Sequence, residues 1–318
     1  MPAPANVATG VHLVRVPMPA GGLPYSLAYL LEDAEGGVHV IDPGSPSPET
    51  LPLLANALGA LGHALADVRT ILVTHLHADH AGAAGALRAA TGARILMHER
   101  ERDALAADVA ASVGGAGVRR RDAETVDGWG VPPERRPELL ALPSLPIAGV
   151  AAPDATLADG ELLALPGLRL RAFWTPGHTG GHLCFDDEER GLLFTGDHVL
   201  PTVNSGLGLG GAEFDPIGDY LRSLLRVAAL DRRALPGHEE PFDRLAERCA
   251  ELAEHHLRRA REARDALRSR PDATVWQVAE GMTWTGGWAA LAGFALRSAL
   301  AQTAMHRAFV RSGAPIAW

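Results

Sequence analysis

The chain has 318 residues, with 29 Lys and Arg against 38 Asp and Glu, a formal net charge of −9, and 47% hydrophobic content. This length exceeds the usual size of one domain, so we expect one large domain with an appendage. The acidic balance argues against a general polyanion-binding surface, although it leaves room for a local basic patch. Only Cys184 and Cys249 occur, which argues against a disulfide framework and favours a reducing compartment.

The start of the chain also bears on where the protein works. Residues 1–4 begin neither a basic leader nor a continuous apolar run, and no later stretch of membrane-spanning length is free of charge. We therefore predict a cytoplasmic protein without membrane contact. The composition leaves the oligomeric state open.

The first hundred residues predict alternating strands and helices. Apolar or alternating runs indicate strands, and apolar residues three or four apart indicate helices. The predicted strands are 11–16, 26–31, 38–41, 68–73 and 94–97, and the predicted helices are 48–61 and 81–90. Thr91-Gly92 closes the second helix, because glycine readily takes the left-handed conformation that ends helices.

A long insertion follows at residues 99–154. Its pattern loosens into two short helical pieces and a proline-rich stretch over 132–146. Long insertions between strands often serve as lids over active sites, and they also occur as solvated decorations. Both interpretations stay open from the sequence.

Helices dominate the C-terminal part. An apolar stripe predicts one long amphipathic helix over 243–270, and arginines crowd its second half. Thr274 and Gln277 form the pattern of a capping box that opens a second helix. A third helix is predicted over 289–311, ended by Gly313.

The segment from Thr74 to His80 reads Thr-His-Leu-His-Ala-Asp-His and follows an apolar run. It places four metal ligands on one loop, namely His75, His77, Asp79 and His80. Imidazole and carboxylate suit zinc and also iron, and no thiolate is nearby to close the site as a structural one. A loop with this many ligands predicts a site for two metal ions.

Further single ligands follow later strands, each on a glycine-containing turn. Such turns carry His178 after 169–174, Asp197 after 192–194 and His238 after 234–235, and Asp42 follows strand 38–41. Catalytic groups commonly lie on loops that a rigid sheet holds in place.

This order of Asp, then His-x-His-x-Asp-His, then separate His, Asp and His residues resembles the metallo-β-lactamase-fold hydrolase superfamily, over roughly residues 10–242. The resemblance implies an α/β fold, an αββα sandwich. It also implies two divalent ions, with zinc expected first and iron or manganese as alternatives. One ion would bind His75, His77 and His178, the other Asp79, His80 and His238, and Asp197 would bridge them. Asp42 would support the ligand loop without touching metal.

Two residues are candidates for roles beyond ligation. Asp79 would take or return a proton after attack. His198 follows Asp197 directly, so we expect it to orient a ligand or to face the substrate, with His182 as the alternative. His98 is a candidate for the edge of the pocket. Other single histidines, including His12, are expected to be structural.

The three C-terminal helices and the tail after them resemble the small winged-helix-like domain of the LACTB2-like branch of this superfamily. We therefore divide the chain into a catalytic domain at 1–242 and a helical, winged-helix-like domain at 243–318. His255-His256 followed by Arg258 and Arg259 also resembles that branch. Activities in the branch range from RNA cleavage to thioester hydrolysis, so the resemblance leaves the substrate open.

Three functions compete on these ligands. The first is hydrolysis of a small ester, thioester or lactone by a metal-bound hydroxide. The positive charge of the ions favours a small-molecule substrate with an anionic or polarised oxygen. The second is cleavage of RNA or another phosphodiester, motivated by the arginine-rich helix, whose arginines otherwise pair with acidic residues. The third is a mononuclear iron persulfide dioxygenase, which would use only three of the seven ligand positions.

Overall fold

Two stacked β-sheets form the centre of the molecule. The computed structural model describes residues 4–18, 23–112, 116–142, 150–209 and 215–317. The strands are β1 (Ala5–Ala8), β2 (Val11–Pro17), β3 (Tyr25–Glu32), β4 (Val38–Ile41), β5 (Val68–Leu72), β6 (Arg94–His98), β7 (Ala155–Leu157), β8 (Leu170–Trp174), β9 (Leu183–Asp187), β10 (Leu192–Gly196) and β11 (Arg233–Pro236).

The first sheet has the order β1-β2-β3-β4-β5-β6-β7 and the second has the order β11-β10-β9-β8. Neighbours are antiparallel from β1 to β4 and parallel from β4 to β7. In the second sheet only β10 and β11 are parallel. Parallel neighbours end at the same edge, so their following loops meet there.

Helices cover the outer faces of both sheets. They are α1 (Thr50–Ala60), α2 (Ala78–Ala81), α3 (Ala84–Thr91), α4 (Glu99–Ser112), α5 (Ala116–Gly128), α6 (Arg136–Leu140), α7 (Pro216–Ala228), α8 (Leu245–Ser269), α9 (Val275–Glu280) and α10 (Gly293–Arg311). Residues of α1 and α3 share a core with the first sheet, and residues of α7, α8 and α10 share one with the second. The predicted αββα sandwich is confirmed.

Alternating burial in β3 explains why both of its faces are apolar. Leu27, Tyr29 and Leu31 point into the core between the two sheets, whereas Ala28 and Leu30 point toward α1 and α3. Successive strand side chains point to opposite faces, so a strand in the middle of four layers must be apolar on both. The hydroxyl of Tyr29 donates to the carbonyl of Pro236 at 2.7 Å and joins the two sheets near the ligand loops.

The helix predicted over 81–90 begins later in the structure, because α2 ends at Ala81 and α3 starts at Ala84 after a break. The backbone N–H of Ala83 donates to the carbonyl of Gly44 at 2.8 Å, and the N–H of Gly44 donates to the carbonyl of His80 at 2.9 Å. These bonds replace a helical pairing with contacts to the loop after β4. The break therefore comes from a tertiary contact that helical periodicity does not report.

The third C-terminal helix begins later than predicted. A 3₁₀ turn covers Trp288–Ala290, and α10 starts at Gly293. The N–H of Gly293 donates to Oε2 of Glu138 at 2.9 Å, so a residue of the insertion sets this boundary. The long helix and the capping box of Thr274 are as predicted, since its hydroxyl accepts from the N–H of Gln277.

Much of the insertion packs against the C-terminal helices. Val126, Val131 and Leu139 share a hydrophobic cluster with Trp276 and Leu296, among others. Helices α4 and α5 are longer than the two short pieces predicted, and residues 143–149 of the proline-rich stretch lie outside the described residues. A lid role for residues 99–154 stays a prediction, but this part of the segment shares a hydrophobic core with the C-terminal helices.

The C-terminal region is helical as predicted, and the described residues 243–317 contain no β-strand that would serve as a wing. The winged-helix detail and the boundary at residue 242 stay predictions. One core includes Ile217 and Tyr220 of α7 together with Leu252 of α8 and Phe309 of α10, so residues before and after that boundary are packed together. Within the described ranges, the length and apolarity needed to cross a membrane occur in no helix.

Candidate metal centre

The seven predicted ligands come together at one edge of the sandwich. His75 to His80 follow β5, His178 follows β8, Asp197 follows β10 and His238 follows β11. Three groups of ligand atoms are close enough to hold an ion: His75 with His77 and His178, Asp79 with His80 and His238, and Asp42 with His75 and His80. The first two groups are the two ligand sets that the family resemblance implies.

The first group consists of three imidazoles. Nε2 of His75 lies 3.0 Å from Nδ1 of His77, Nε2 of His178 lies 3.2 Å from Nε2 of His75, and Nε2 of His178 lies 3.0 Å from Nδ1 of His77. Zinc–nitrogen bonds of about 2.0–2.1 Å at tetrahedral angles put ligand nitrogens about 3.3 Å apart. The spacing therefore fits a tetrahedral ion with one position left open.

Outer hydrogen bonds determine which nitrogen of His75 carries the proton. The hydroxyl of Thr74 donates its single proton to Oδ2 of Asp42 at 2.6 Å. The hydroxyl oxygen of Thr74 must therefore accept from Nδ1–H of His75, which lies 2.9 Å away. This leaves a lone pair on Nε2 of His75, directed into the group. Nδ1–H of His178 donates to the carbonyl of Gly206 at 2.6 Å with the same result.

The second group combines imidazole and carboxylate. Nε2 of His238 lies 3.2 Å from both Oδ2 of Asp79 and Nε2 of His80. Nδ1–H of His80 donates to Oδ2 of Asp42 at 3.0 Å, which directs its Nε2 inward. A carboxylate that holds a ligand imidazole in this way fixes its tautomer and orientation. Asp42 occupies the supporting position that the resemblance implies.

Asp197 reaches both groups with separate oxygens. Its Oδ2 lies 3.7 Å from Nε2 of His178, and its Oδ1 lies 3.4 Å from Nε2 of His80 and 3.5 Å from Nε2 of His238. Oδ1 is buried and has no hydrogen-bond partner within the described ranges. A buried acceptor without a partner is costly, and a shared cation would satisfy it. The residues present therefore fit two metal ions with Asp197 between them.

Burial keeps the first group ready to bind a cation at neutral pH. Burial, together with the neighbouring His178, lowers the pKa of His77 to about 3. Burial also lowers the pKa of His75 and of His178. These imidazoles are neutral near pH 7, so their lone pairs are free for a metal.

The second group has the opposite electrostatics. Burial opposes a charge on His80, but the carboxylates of Asp197 and Asp79 raise the pKa of His80 well above its usual value. Burial would also raise the pKa of Asp197, but His80 and His238 hold it well below its usual range. The surroundings of this group thus favour positive charge at its centre.

A close approach explains the glycine before His238. A Cβ on Gly237 would lie 2.5 Å from Cε1 of His80 and 2.7 Å from Oδ1 of Asp197. Real side chains do not approach so closely, and the ligand rings have no room to withdraw. The Pro-Gly-His turn therefore lets the backbone pass directly beneath the second group.

The comparisons with known proteins agree with this geometry. The sequence model described as Metallo-beta-lactamase superfamily matches residues 21–238. The chain belongs to this superfamily. A metallo-beta-lactamase family protein from Thermus thermophilus has a similar structure, with a TM-score of 0.75 and 30% sequence identity over 97% of this chain and 95% of that one.

Two curated relatives are similar over shorter segments. The beta-lactamase-like protein 2 homolog of Caenorhabditis elegans is 32% identical over 132 residues, which are 41% of this chain and 42% of that protein. The atrochrysone carboxyl ACP thioesterase of Aspergillus fumigatus is 32% identical over 114 residues, 36% of this chain and 34% of that protein. The chain thus matches well under half the length of either relative. Family membership supports a metal-dependent hydrolase.

His198 lies buried beside His182, which does not favour the expectation that it faces the substrate, and a role in orienting a ligand stays a prediction. Its side chain is fully buried, 4.9 Å from the ring of Tyr220 and 5.8 Å from the ring of His182. His182 lies between it and the centre, because the His182 ring stacks on His75 at 5.2 Å. Burial lowers the pKa of His198 to about 3, so the ring is neutral. Adjacency in sequence to Asp197 did not reveal that the chain turns His198 inward.

This burial predicts that His198 contributes to packing. We expect His198→Phe to keep the metal content of the wild type and to hold turnover within about tenfold of it, because loss of a residue that orients a ligand typically costs at least that much. His198→Ala should lower the free energy of unfolding by about 3 kcal/mol, because it leaves a cavity. Urea unfolding, metal analysis and turnover check both variants. A loss of turnover above about tenfold in the Phe variant, with the metal content intact, would contradict this expectation.

His98 lines a cavity of about 390 Å³ together with Trp174 and Arg100. Its ring stacks on that of Trp174 at 5.3 Å, and the indole N–H of Trp174 donates to the carbonyl of Gly180 in the His178 loop at 3.1 Å. Trp174 thus connects this cavity to the His178 loop, and a place for His98 at the edge of the substrate pocket stays a prediction. His12 pairs with Glu32 at 3.0 Å and has the expected structural role.

Sequence reasoning missed Glu101. Its carboxylate is completely buried and accepts from the backbone N–H of Leu76 at 2.8 Å and of Gly181 at 2.7 Å. In the sequence it lies within the run Glu-Arg-Glu-Arg-Asp, which is typical of a solvated helix end. The sequence contains one weak signal for a role of Glu101. It is an acidic residue in the first turn of a helix that directly follows a strand.

Proposed function

We propose that this protein is a dinuclear metal-dependent hydrolase, with zinc as its metal, that cleaves a small ester, thioester or lactone. The observation that carries the proposal is the pair of ligand groups that share Asp197, one oxygen toward each group. A single ion would leave one group of converging lone pairs and carboxylates without a partner. Six of the seven predicted ligands form the two groups, and the seventh, Asp197, lies between them.

The metals would lower the pKa of water to about 7, which supplies a nucleophile near neutral pH, and would polarise the carbonyl group under attack. The protein has to provide little else. His75, His77 and His178 hold one ion without adding charge. Asp79 and Asp197 bring two negative charges against four positive ones, so the centre attracts an electron-rich oxygen of the substrate.

Asp79 is the ligand best suited to handle a proton. Its side chain is 24% exposed, against 12% for Asp197, so it lies closer to the solvent side of the centre. Its Oδ2 lies 3.2 Å from Nε2 of His238, and we assign to Oδ1 the role of accepting a proton and returning it to the leaving group. Tyr25 supports this side, because its carbonyl accepts from Nδ1–H of His238 at 2.9 Å.

The substrate class rests on a relative and on charge. The thioesterase from Aspergillus fumigatus acts on an acyl carrier protein thioester, as its name states, and its similarity to this chain favours an acyl substrate. The net charge of −9 favours a small molecule over a polyanion. Cytoplasmic location accompanies the proposal as a prediction from the sequence.

The test pairs metal analysis with a substrate panel. We expect close to two zinc ions per chain and turnover of at least one ester, thioester or lactone that disappears with a chelator and returns with metal. Asp197→Ala is the inactive control. A fully active wild-type sample that contains one iron would overturn the hydrolase and favour the mononuclear persulfide dioxygenase.

The arginine-rich helix gives less support to RNA cleavage than its sequence suggests. Arg261 pairs with Glu254 at 2.7 Å, and Arg264 and Arg268 lie near Asp265 at 3.4 and 3.8 Å. Arg259 is buried and pairs with Glu262 at 2.9 Å. These four arginines thus lie near acids of their own helix, so their positive charge is partly neutralised, whereas Arg258 contacts His255 at 3.4 Å.

RNA binding is therefore expected to be weak. Each phosphate contact releases counterions, so a functional contact surface would show binding that falls steeply as salt rises. We expect no such slope, and no change in the variant with Arg258, Arg261, Arg264 and Arg268 replaced by Gln. Binding and cleavage of RNA across a salt series measure this. Tight, salt-sensitive binding that the variant loses, with metal-dependent cleavage, would favour a nuclease.

A further inference from the structure

Glu101 is a buried carboxylate whose hydrogen bonds go to backbone N–H groups of the ligand loops. It lies in the first turn of α4, and its side chain is inaccessible to solvent. Burial raises the pKa of Glu101 to about 7, and Thr179 and the N–H groups of Leu76 and Gly181 partly oppose this. In the described part of the chain, no cationic side chain forms an ion pair with it. The groups that stabilise its charge all belong to two loops.

The two partner loops carry all three ligands of the first group. Leu76 lies between His75 and His77, so Oε2 of Glu101 holds the midpoint of the loop that presents both rings. Gly181 closes the turn that begins at His178, and its N–H donates to Oε1. One carboxylate therefore fixes the distance between the two loops whose imidazoles converge to 3.0–3.2 Å.

The contact requires glycine at residue 181. A Cβ there would lie 2.7 Å from both the backbone nitrogen and Oε1 of Glu101. Backbone and carboxylate thus meet at a distance that only glycine permits. The loop is shaped around Glu101 as much as around His178.

The second group has different supports. His80 is held by Asp42, and His238 is held by the carbonyl of Tyr25. Glu101 contacts neither. Loss of Glu101 should therefore affect one ion more than the other, which a general loss of folding would not do.

We propose that Glu101 is a positioning residue that sets the geometry of the first metal site by holding the His75–His77 loop against the His178 loop. This inference rests on the proposed dinuclear function. It assigns to α4, the first helix of the insertion, the role of a support beneath the ligands. The side chain acts through the backbone and takes no part in the reaction itself.

The first experiment measures metal occupancy in Glu101→Gln and Gly181→Ala. Gln keeps the size but replaces one acceptor oxygen with a donor group, which cannot accept from an N–H. We expect affinity for the first ion to fall by about 10- to 100-fold, the range for groups that orient ligands, and affinity for the second to change little. Chelator competition with zinc, and the visible spectrum of the cobalt-loaded protein, report the two sites separately.

Asp33→Asn is the matched control. Asp33 is also a nearly buried carboxylate that accepts two backbone N–H bonds, from Glu35 and Gly37, but in the turn between β3 and β4 at the opposite end of the sheet. The Asp33→Asn variant should bind both ions with wild-type affinity. Hydrogen exchange of the metal-free protein adds a readout without metal, in which Glu101→Gln should speed exchange around residues 75–77 and 178–181.

The outcomes separate the two proposals. One ion per wild-type chain at saturation would overturn the dinuclear function itself. If the wild type binds two ions and Glu101→Gln and Gly181→Ala bind both with the same affinities as the wild type, the role of Glu101 alone is overturned. Equal weakening of both sites in Glu101→Gln, or weakening in the Asp33→Asn control, would also overturn it, because either result indicates a general effect on the fold.

Discussion

Replacing Asp197 with Ala is expected to abolish activity and metal binding together. The carboxylate has one oxygen near each ligand group, so its loss removes a ligand from both sites and leaves two like-charged ions poorly shielded. Turnover should fall by more than about 1,000-fold, which corresponds to about 4 kcal/mol of transition-state stabilisation. Elemental analysis after exchange into metal-free buffer should find fewer than one ion per chain.

Asp187→Ala provides the matched control for Asp197. Asp187 is also buried, pairs with Arg190 at 2.9 Å, and lies at the end of β9 far from the ligand loops. Its variant should lose stability yet keep both ions. An Asp197→Ala protein that retains two ions and full turnover would show that the carboxylate bridges nothing.

Replacing Asp42 with Asn is expected to have the second largest effect. Its carboxylate accepts from the N–H and hydroxyl of Thr74 and from Nδ1–H of His80. Asn offers one acceptor and one donor group, so Nδ1–H of His80 or the Thr74 hydroxyl would face a donor. Relief by a change of tautomer would put a proton on Nε2 of His80, where a metal should bind.

We expect affinity for the second ion to fall by about 10- to 100-fold and the free energy of unfolding to fall by about 1–3 kcal/mol because a buried group loses its partner. Titration with zinc and urea unfolding measure the two effects. Asp33→Asn again serves as control, since Asp33 also pairs with a buried imidazole, that of His39, at 3.2 Å. Unchanged affinity at both sites would mean that Asp42 does not orient His80.

The ligand positions could be predicted because their chemistry is local. Each ligand follows an apolar strand, and strands that end at one edge bring their loops together, so His178, Asp197 and His238 needed no knowledge of side-chain contacts. That these residues bind metal stays a prediction. Family membership and the αββα layering are confirmed by the sequence comparison and by the structure.

Other features depend on long-range contacts that sequence patterns do not contain. Glu101 and its neighbours Glu99 and Asp103 look alike in the sequence, and only the fold turns Glu101 inward. His198 follows Asp197, but the backbone directs the two side chains to opposite sides of the loop region. The start of α10 depends on Glu138, which is 155 residues earlier in the chain.

Helix α8 has a mechanical consequence for how substrates enter. It runs without a break over 25 residues, a length of about 37 Å at 1.5 Å per residue. Its early residues belong to the core of the second sheet, and its last turns reach Ala273 and Met282 beside α9. Residues of α9 and α10 also pack against the insertion, for example Trp276 and Leu296 in one cluster with Val126, and Phe309 of α10 lies in the core of the second sheet. We therefore expect the C-terminal helices to stay in place rather than swing as a hinged flap, and substrates to reach the metal centre through the loops around it.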